Sequence, residues 1–200
     1  LPGTSAPVLA SLTGTRAWSR ADEALWTEVL AEGTTAYLAY NLCQDSFSFT
    51  EVVKTFLTSV QDPAVTKVIV DLRTNPGGNS WPFTSRVLPA LTEAAKTKRL
   101  VVLAGPDTFS SAIIALCELR TAGALFFGSP TSEGANSYGE VKTCRLERAR
   151  YEFITSSKRF LLLPGTAEGE PLVPDRRVEA ASTDFAAGRD VVLQTALDLP

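Results

Sequence analysis

The sequence predicts an α/β domain with a largely parallel sheet. Short apolar, β-branched runs alternate with stretches whose apolar side chains have helical spacing, which is the pattern of strands joined by helical crossovers. The run Val68, Ile69 and Val70 is the strongest strand signal, because unbroken β-branched composition suits a strand that is covered on both faces. The 200 residues, 44% of them hydrophobic, are enough to bury the core of one such domain.

The elements can be assigned in order from the amino end. Residues 1–34 are expected to form a lead-in or linker, because residues 1–17 are rich in Pro, Ser, Thr and Gly. A helix is expected over 20–31, although part of that stretch is also compatible with a strand. Residues 35–200 are expected to form the core domain. Its expected elements are a strand at 36–41, a helix at 47–60 capped by Ser48 or Thr50, a strand at 66–72, a helix at 82–95, a strand at 100–103, a helix from Ser110 to 121, a strand at 124–127, a hairpin of 141–146 with 151–155, and a helix at 184–197.

A glycine turn follows the strand at 66–72. Asn75, Pro76, Gly77 and Gly78 must leave the strand abruptly. Glycine has no Cβ, so Gly77 and Gly78 can take positive φ and expose their N–H groups to a ligand, as a preformed anion or oxyanion site requires. A turn with no binding role explains the same residues.

A second turn carries three hydroxyl side chains. The strand at 100–103 leads through Thr108, Ser110 and Ser111 into an apolar-periodic helix. A serine at such a junction has its Oγ near a helix N-terminus, where free N–H groups can stabilise an oxyanion. The alternative is that one of the three hydroxyls is an N-cap.

Together these segments resemble the tail-specific, or carboxy-terminal processing, serine proteases, a family that includes the tricorn-type core proteases. The resemblance covers roughly residues 35–198 and implies a crotonase/ClpP-like superhelix of strand-strand-helix units with a mostly parallel sheet and a C-terminal β-hairpin. It also implies that Ser110 is the nucleophile and that the N–H groups of Ser111, Gly77 and Gly78 hold the oxyanion. The matching motifs are D-L-R-T-N-P-G-G at 71–78, T-F-S-S-A at 108–112, G-S-P-T-S-E-G-A-N-S-Y-G-E-V at 128–141, V-P-D at 173–175 and G-R-D-V-V-L-Q-T-A-L at 188–197.

The family's general base has no counterpart at the matching positions. The lysine of the Ser-Lys branch would stand near Gly134 and Ala135, and the chain has no histidine for the Ser-His-Glu branch. Glu168, or Glu170 beside it, stands about where that branch has its glutamate. Lys142 is the only lysine soon after the matching motif. A desolvated lysine can act as a base, but Lys142 is expected on a solvated face of the hairpin. Because a serine hydroxyl is a weak nucleophile without a base, either an N-terminal region of the parent protein supplies the base or the fold has lost the chemistry.

Composition excludes several other classes. A formal net charge of -3 and 20% charged residues give no reason to expect nucleic acid as a partner. The sequence has neither an apolar run long enough for a transmembrane segment nor a recognisable leader. Because it begins at Leu1 and contains no methionine, we expect a processed product or a fragment. The resemblance implies a secreted, periplasmic or cell-envelope location.

Metal and cofactor sites are not expected. The three cysteines have no C-x-x-C spacing, and without histidine they make no plausible zinc site. Cys117 falls on the apolar face of an expected helix and is interpreted as a small buried hydrophobe. The sequence neither predicts nor excludes a disulfide between Cys43 and Cys144.

We therefore predict a serine endopeptidase core that cleaves peptides or unfolded protein segments by acyl transfer through Ser110. Too few residues precede residue 35 for the family's PDZ module, so a peptide or protein substrate is expected to bind by β-addition along an exposed strand. One alternative is a catalytically silent peptide-binding module of the same fold. Another is a crotonase-like acyl-thioester enzyme, although that chemistry needs no nucleophilic serine.

Overall fold

A computed structural model describes residues 20–200 of the chain, and the expected lead-in at 1–17 lies outside the described residues. The elements in chain order are β1 (Leu25–Leu30), a 3-10 turn (Ala31–Gly33), β2 (Thr35–Tyr40), α1 (Phe47–Gln61), β3 (Lys67–Asp71), α2 (Trp81–Arg86), α3 (Leu88–Ala94), β4 (Arg99–Ala104), α4 (Ser111–Thr121), β5 (Leu125–Gly128), β6 (Asn136–Leu146), β7 (Tyr151–Leu161), β8 (Arg176–Arg177), α5 (Ser182–Ala186) and α6 (Val191–Leu197).

The main sheet has six strands in the order β1-β2-β3-β4-β5-β8. The β1 and β2 strands are antiparallel, and all the other neighbours are parallel. In the centre of the sheet Ile69 lies between Tyr37 and Val101. Strands β6 and β7 form a separate antiparallel hairpin. This confirms the predicted α/β class with a mostly parallel sheet and a hairpin.

Both faces of the sheet are covered, which explains the continuous apolar runs. On one face Leu38, Val70 and Val102 pack against α1, α2, α3 and α4. On the other face Ile69 and Val101 pack with Trp26 of β1 and with α6. Alternate residues of each central strand therefore contribute to two hydrophobic cores, one on each face of the sheet. Every residue of β3 is buried.

Four sequence-based assignments need correction. Residues 25–30 form strand β1 rather than a helix, because they pair along their whole length with β2, which places the start of the sheet before residue 35. The cap of α1 is Ser46, whose Oγ accepts the N–H of Phe49 at 3.1 Å. The helices expected at 82–95 and 184–197 are each divided in two. Pro89, near the start of α3, cannot continue a helix from α2, and Gly188 at φ 67° separates α5 from α6.

The hairpin is longer than predicted and exposed. Its paired positions run from Asn136 opposite Leu161 to Leu146 opposite Tyr151. All three cysteines are free thiols, so Cys43 and Cys144 form no disulfide. None of the helices within 20–200 combines the length and apolar character that a membrane span needs.

Candidate functional site

Ser110 stands immediately before α4 in a strained backbone conformation. Its φ is 55° and its ψ is -120°, and a non-glycine residue held in such a conformation costs about 1–3 kcal/mol. Its side chain caps no N–H of α4, so the predicted N-cap role is not fulfilled by Ser110. The residue is exposed. A strained serine that presents its hydroxyl at a strand-to-helix turn is the arrangement of a nucleophile elbow.

The buried side chain of Asn75 holds the elbow against the ends of two strands. Its Nδ2 donates to the carbonyl oxygen of Tyr40 at 2.7 Å, and its Oδ1 accepts the N–H of Gly77 at 2.8 Å. The backbone oxygen of Asn75 accepts the N–H of Phe109, the residue before Ser110, at 3.0 Å. From the sequence Asn75 is only a turn residue, because its partners Tyr40 and Phe109 are more than 30 positions away.

Glycine is required at both positions of the turn after β3. Gly77 has φ 101° and Gly78 has φ 126°. A Cβ on Gly77 would lie 2.6 Å from the Cβ of Ser110, and a Cβ on Gly78 would lie 2.1 Å from the carbonyl oxygen of Cys43. The glycines therefore allow the turn to approach both the elbow and the residues after β2.

The hydrogen bonds narrow the expected oxyanion donors to two. The N–H of Gly77 is engaged with Asn75. Within the described part of the chain, the N–H groups of Gly78 and Ser111 donate to no acceptor. The hydroxyl of Ser111 donates to the carbonyl oxygen of Gly78 at 2.5 Å, which joins the two residues. Two free N–H groups beside a serine hydroxyl are what an oxyanion hole requires.

Glu133 is the ionisable residue in direct contact with Ser110. One carboxylate oxygen, Oε2, accepts the backbone N–H of Ser110, and the other, Oε1, accepts the hydroxyl of Ser137 at 2.9 Å. Glu133 lies within the motif at 128–141, where the sequence predicts no role for it. Nothing local could have singled it out, because 23 positions separate it from Ser110.

Glu168 and Lys142 lie away from Ser110. The carboxylate of Glu168 pairs with Arg159 at 3.2 Å on the surface and is hydrogen-bonded to neither Ser110 nor Glu133. Its segment is nevertheless adjacent, since Gly134 bridges to Pro171. Lys142 is exposed on β6, as predicted.

Cys43 is close to the glycine turn but is not a nucleophile. Its thiol is buried and donates to Oδ1 of Asn75 at 3.5 Å. Burial raises the pKa of the Cys43 thiol to about 11, although its contacts with Tyr40 and Asn75 act in the opposite direction. The thiolate is therefore disfavoured at neutral pH.

Two clefts that share part of their lining lie at the carboxyl ends of the parallel strands. The first has a volume of about 500 Å³ and the second about 640 Å³, and both are lined by Ala21, Thr74 and Pro76. Phe109 and Ser132 bring the first cleft next to the elbow. Ligands of open α/β sheets bind at the carboxyl ends of the strands, and these clefts have that position.

A buried ion-pair network fixes the end of β3 below this site. The guanidinium of Arg73 binds Asp71 at 2.6 Å and Asp190 at 2.7 Å, and the hydroxyl of Tyr37 donates to Asp71 at 2.7 Å. Burial opposes the charge of Arg73, but the two carboxylates raise its pKa well above the ordinary value. The network anchors the glycine turn to α6.

Comparisons of sequence gave no result: no protein-family model matches the chain, and no curated protein sequence is significantly similar. Comparisons of structure gave several matches. A structure from Parabacteroides merdae described as a candidate peptidase has a TM-score of 0.62 at 13% identity over 87% of this chain and 63% of its own. A candidate protease of family S41 from Bacteroides fragilis has a TM-score of 0.59 at 15% identity over 86% and 56%. A lipoprotein from Streptococcus agalactiae has a TM-score of 0.53 at 14% identity over 92% and 72%.

The chain spans less than two thirds of the length of the first of these structures. At such identities the likeness concerns the fold and not the chemistry of any residue. The arrangement of sheet, helices and hairpin in this chain is therefore the fold found in the structures of S41-type peptidases.

Proposed function

We propose that the chain is the core of a serine peptidase that cleaves peptides or unfolded protein segments by acyl transfer through Ser110. The observation that carries this proposal is the strained, exposed Ser110 beside the free N–H groups of Gly78 and Ser111. Backbone strain is retained at functional sites because the surrounding structure stabilises it. In this chain Asn75 and the glycine turn provide that support.

In the proposed reaction the Oγ of Ser110 attacks the carbonyl carbon of a peptide bond. The negative charge that develops on the carbonyl oxygen is stabilised by the N–H groups of Gly78 and Ser111, and one such donor typically contributes on the order of 10²–10³ in rate. The N-terminus of α4, which has 11 residues, favours the same charge. The clefts lined by Ala21, Thr74 and Pro76 are where we place the peptide.

A catalytically silent peptide-binding module is the second candidate. It is favoured by the absence of histidine and by the position of Lys142 on the exposed hairpin. The strain at Ser110 argues against it, because a binding module gains nothing from a strained serine. A crotonase-like acyl-thioester enzyme would use the paired N–H groups but not the hydroxyl.

Labelling with a fluorophosphonate probe tests the proposal. Wild-type protein should be modified at Ser110, and Ser110→Ala should lose the label while its thermal unfolding stays unchanged. Ser157→Ala, which removes an exposed hydroxyl on β7, should label as the wild type does. Labelling of Ser110→Ala at the wild-type rate would refute the assignment. A wild-type protein that binds an unfolded polypeptide but never takes the label would establish the silent module.

A further inference from the structure

Ser110 has neither histidine nor lysine as a partner, and the geometry points to Glu133 in their place. We propose that Glu133 is the general base that takes the proton from the Ser110 hydroxyl, so that the catalytic pair is a serine and a carboxylate. This inference rests on the proposed function and adds to it the identity of the base.

The contact between the two residues puts the carboxylate within reach of the reacting atom. Oε2 of Glu133 accepts the backbone N–H of Ser110. In a staggered rotamer that places Oγ gauche to N, those two atoms of a serine are about 3 Å apart. An oxygen bound to the N–H can therefore also approach the Oγ proton, directly or through one water molecule, as a general base must.

Glu133 is itself held in place by other polar groups. The hydroxyl of Ser137 donates to Oε1 at 2.9 Å, which leaves Oε2 directed at Ser110. The backbone oxygen of Glu133 accepts the hydroxyl of the buried Thr131 at 2.7 Å. A nucleophile, a base and a third group that orients the base are the general plan of an activated serine, and here they are Ser110, Glu133 and Ser137.

Ser110, Glu133, the leaving amine and water account for every proton that moves in the reaction. As the bond forms between Oγ of Ser110 and the substrate carbonyl carbon, the Oγ proton passes to the carboxylate of Glu133. When the C–N bond breaks, that proton passes to the leaving amine, and an acyl-serine remains. Glu133 then takes a proton from the attacking water, the C–Oγ bond breaks, and the proton returns to Ser110.

Other charged residues lie on the segments next to Glu133. Asp107 lies on the turn before Ser110 and lines the same cleft as Ser132. Glu168 and Glu170 lie on the segment beside Gly134, and Arg159 of β7 pairs with Glu168. A pH profile therefore has to be compared between variants rather than interpreted for the wild type alone.

Two substitutions separate a base from a structural cap. Glu133→Gln keeps an oxygen that accepts the Ser110 N–H and an amide that can donate to Ser137, but it cannot take a proton. Glu133→Ala loses both the contact and the base. The rate of fluorophosphonate labelling, or of hydrolysis of an activated ester, would be measured for each from pH 3 to 9. Glu152→Gln, which changes an exposed glutamate paired with Arg145 on the hairpin, is the matched control.

We expect Glu133→Gln to lower the rate at least about 100-fold, as loss of a general base does, with wild-type thermal unfolding. The wild-type rate should fall on acidification, because a general base must be unprotonated to act, and Glu133→Gln should lack that dependence. If Ser110 is labelled in wild type and Glu133→Gln reacts at the same rate, the inference fails while the proposed function stands. A larger loss for Glu168→Gln than for Glu133→Gln would equally overturn it. If Ser110 is not labelled at any pH, the proposed function itself fails.

Discussion

The hydroxyl of Ser111 donates a hydrogen bond to the carbonyl oxygen of Gly78 at 2.5 Å, so the first residue of α4 is tied to the turn that follows β3. The same two residues carry the free N–H groups of the site. Their relative position is therefore set by one side-chain contact in addition to the backbone.

Ser111→Ala should weaken both the site and the fold. The exposed Gly78 carbonyl loses its hydrogen bond from the buried Ser111, and a typical intramolecular hydrogen bond contributes about 0.5–1.5 kcal/mol to the unfolding free energy. Misplacement of the two N–H donors should lower the labelling rate of Ser110 by about tenfold or more. Urea denaturation and labelling kinetics would measure the two effects. Ser59→Ala, whose hydroxyl bonds only within α1, should change neither by a comparable amount, and equal effects of the two substitutions would refute the role given to Ser111.

Glu118 should make stability depend on pH. Burial raises the pKa of its carboxyl above 4.5, although the hydrogen bond from Thr84 lowers it. A folded-state pKa above the unfolded value means that the folded chain binds the proton more tightly, so this contribution is complete below about pH 4.5 and is lost as pH rises through the folded-state pKa. The unfolding free energy of wild type relative to Glu118→Gln should therefore decrease between pH about 4 and about 7. Denaturant titrations at both pH values would check this, with the exposed Glu51→Gln as control, and a constant difference would contradict it.

Arg73→Met should be among the most destabilising single changes in the chain. It leaves Asp71 and Asp190 buried without the guanidinium between them, and removing one partner of a buried ion network costs about 3–5 kcal/mol. Arg86→Met breaks an exposed pair with Asp45 and should cost less than about 1 kcal/mol. Guanidinium denaturation of both variants gives the comparison. Similar midpoints would mean that the network contributes little to stability.

The sequence predicted the parts of the fold that depend on local pattern. Unbroken runs such as Val68, Ile69 and Val70 indicate buried parallel strands because β-branched residues suit a strand that is covered on both faces. Residues 25–30 were mistaken for helix because Leu25, Trp26, Val29 and Leu30 also fit a helical period, and only their pairing with β2 decides the matter. The break between α2 and α3 could be predicted from Pro89, because proline lacks the N–H that a continuous helix needs.

The candidate site was predictable only where one segment contains the chemistry. Strand-turn-helix spacing predicts the glycine turn and the hydroxyl-bearing turn before α4, and the resemblance to the processing proteases singles out Ser110 within the second. The two turns are next to each other in the structure. The contacts of Asn75 with Tyr40 and of Glu133 with Ser110 join residues more than 20 positions apart. Such contacts depend on how the strands are ordered, which short-range periodicity does not encode.

Gly78 provides the test that separates a functional turn from a simple chain reversal. From the sequence we expect Gly78→Val to reduce activity far more than stability, because a β-branched side chain there blocks the expected oxyanion site. The structure indicates that stability falls as well, since a Cβ at Gly78 would lie 2.1 Å from the carbonyl oxygen of Cys43, a backbone atom of the segment that follows β2.

Gly165→Ala is the matched control for this change, because Gly165 also has a positive φ, 86°, but nothing lies within 4 Å of its added Cβ. Backbone strain alone should therefore cost Gly165→Ala about 1 kcal/mol. Gly78→Ala adds a backbone clash to the same strain and should cost at least about 2 kcal/mol more, and its labelling at Ser110 should fall because the Gly78 N–H moves with the turn. Thermal unfolding and labelling rates of both variants decide the matter. If Gly78→Ala and Gly165→Ala were equally stable and equally reactive, the close approach of Gly78 to Cys43 would have no functional importance, and the oxyanion site would have to be sought elsewhere.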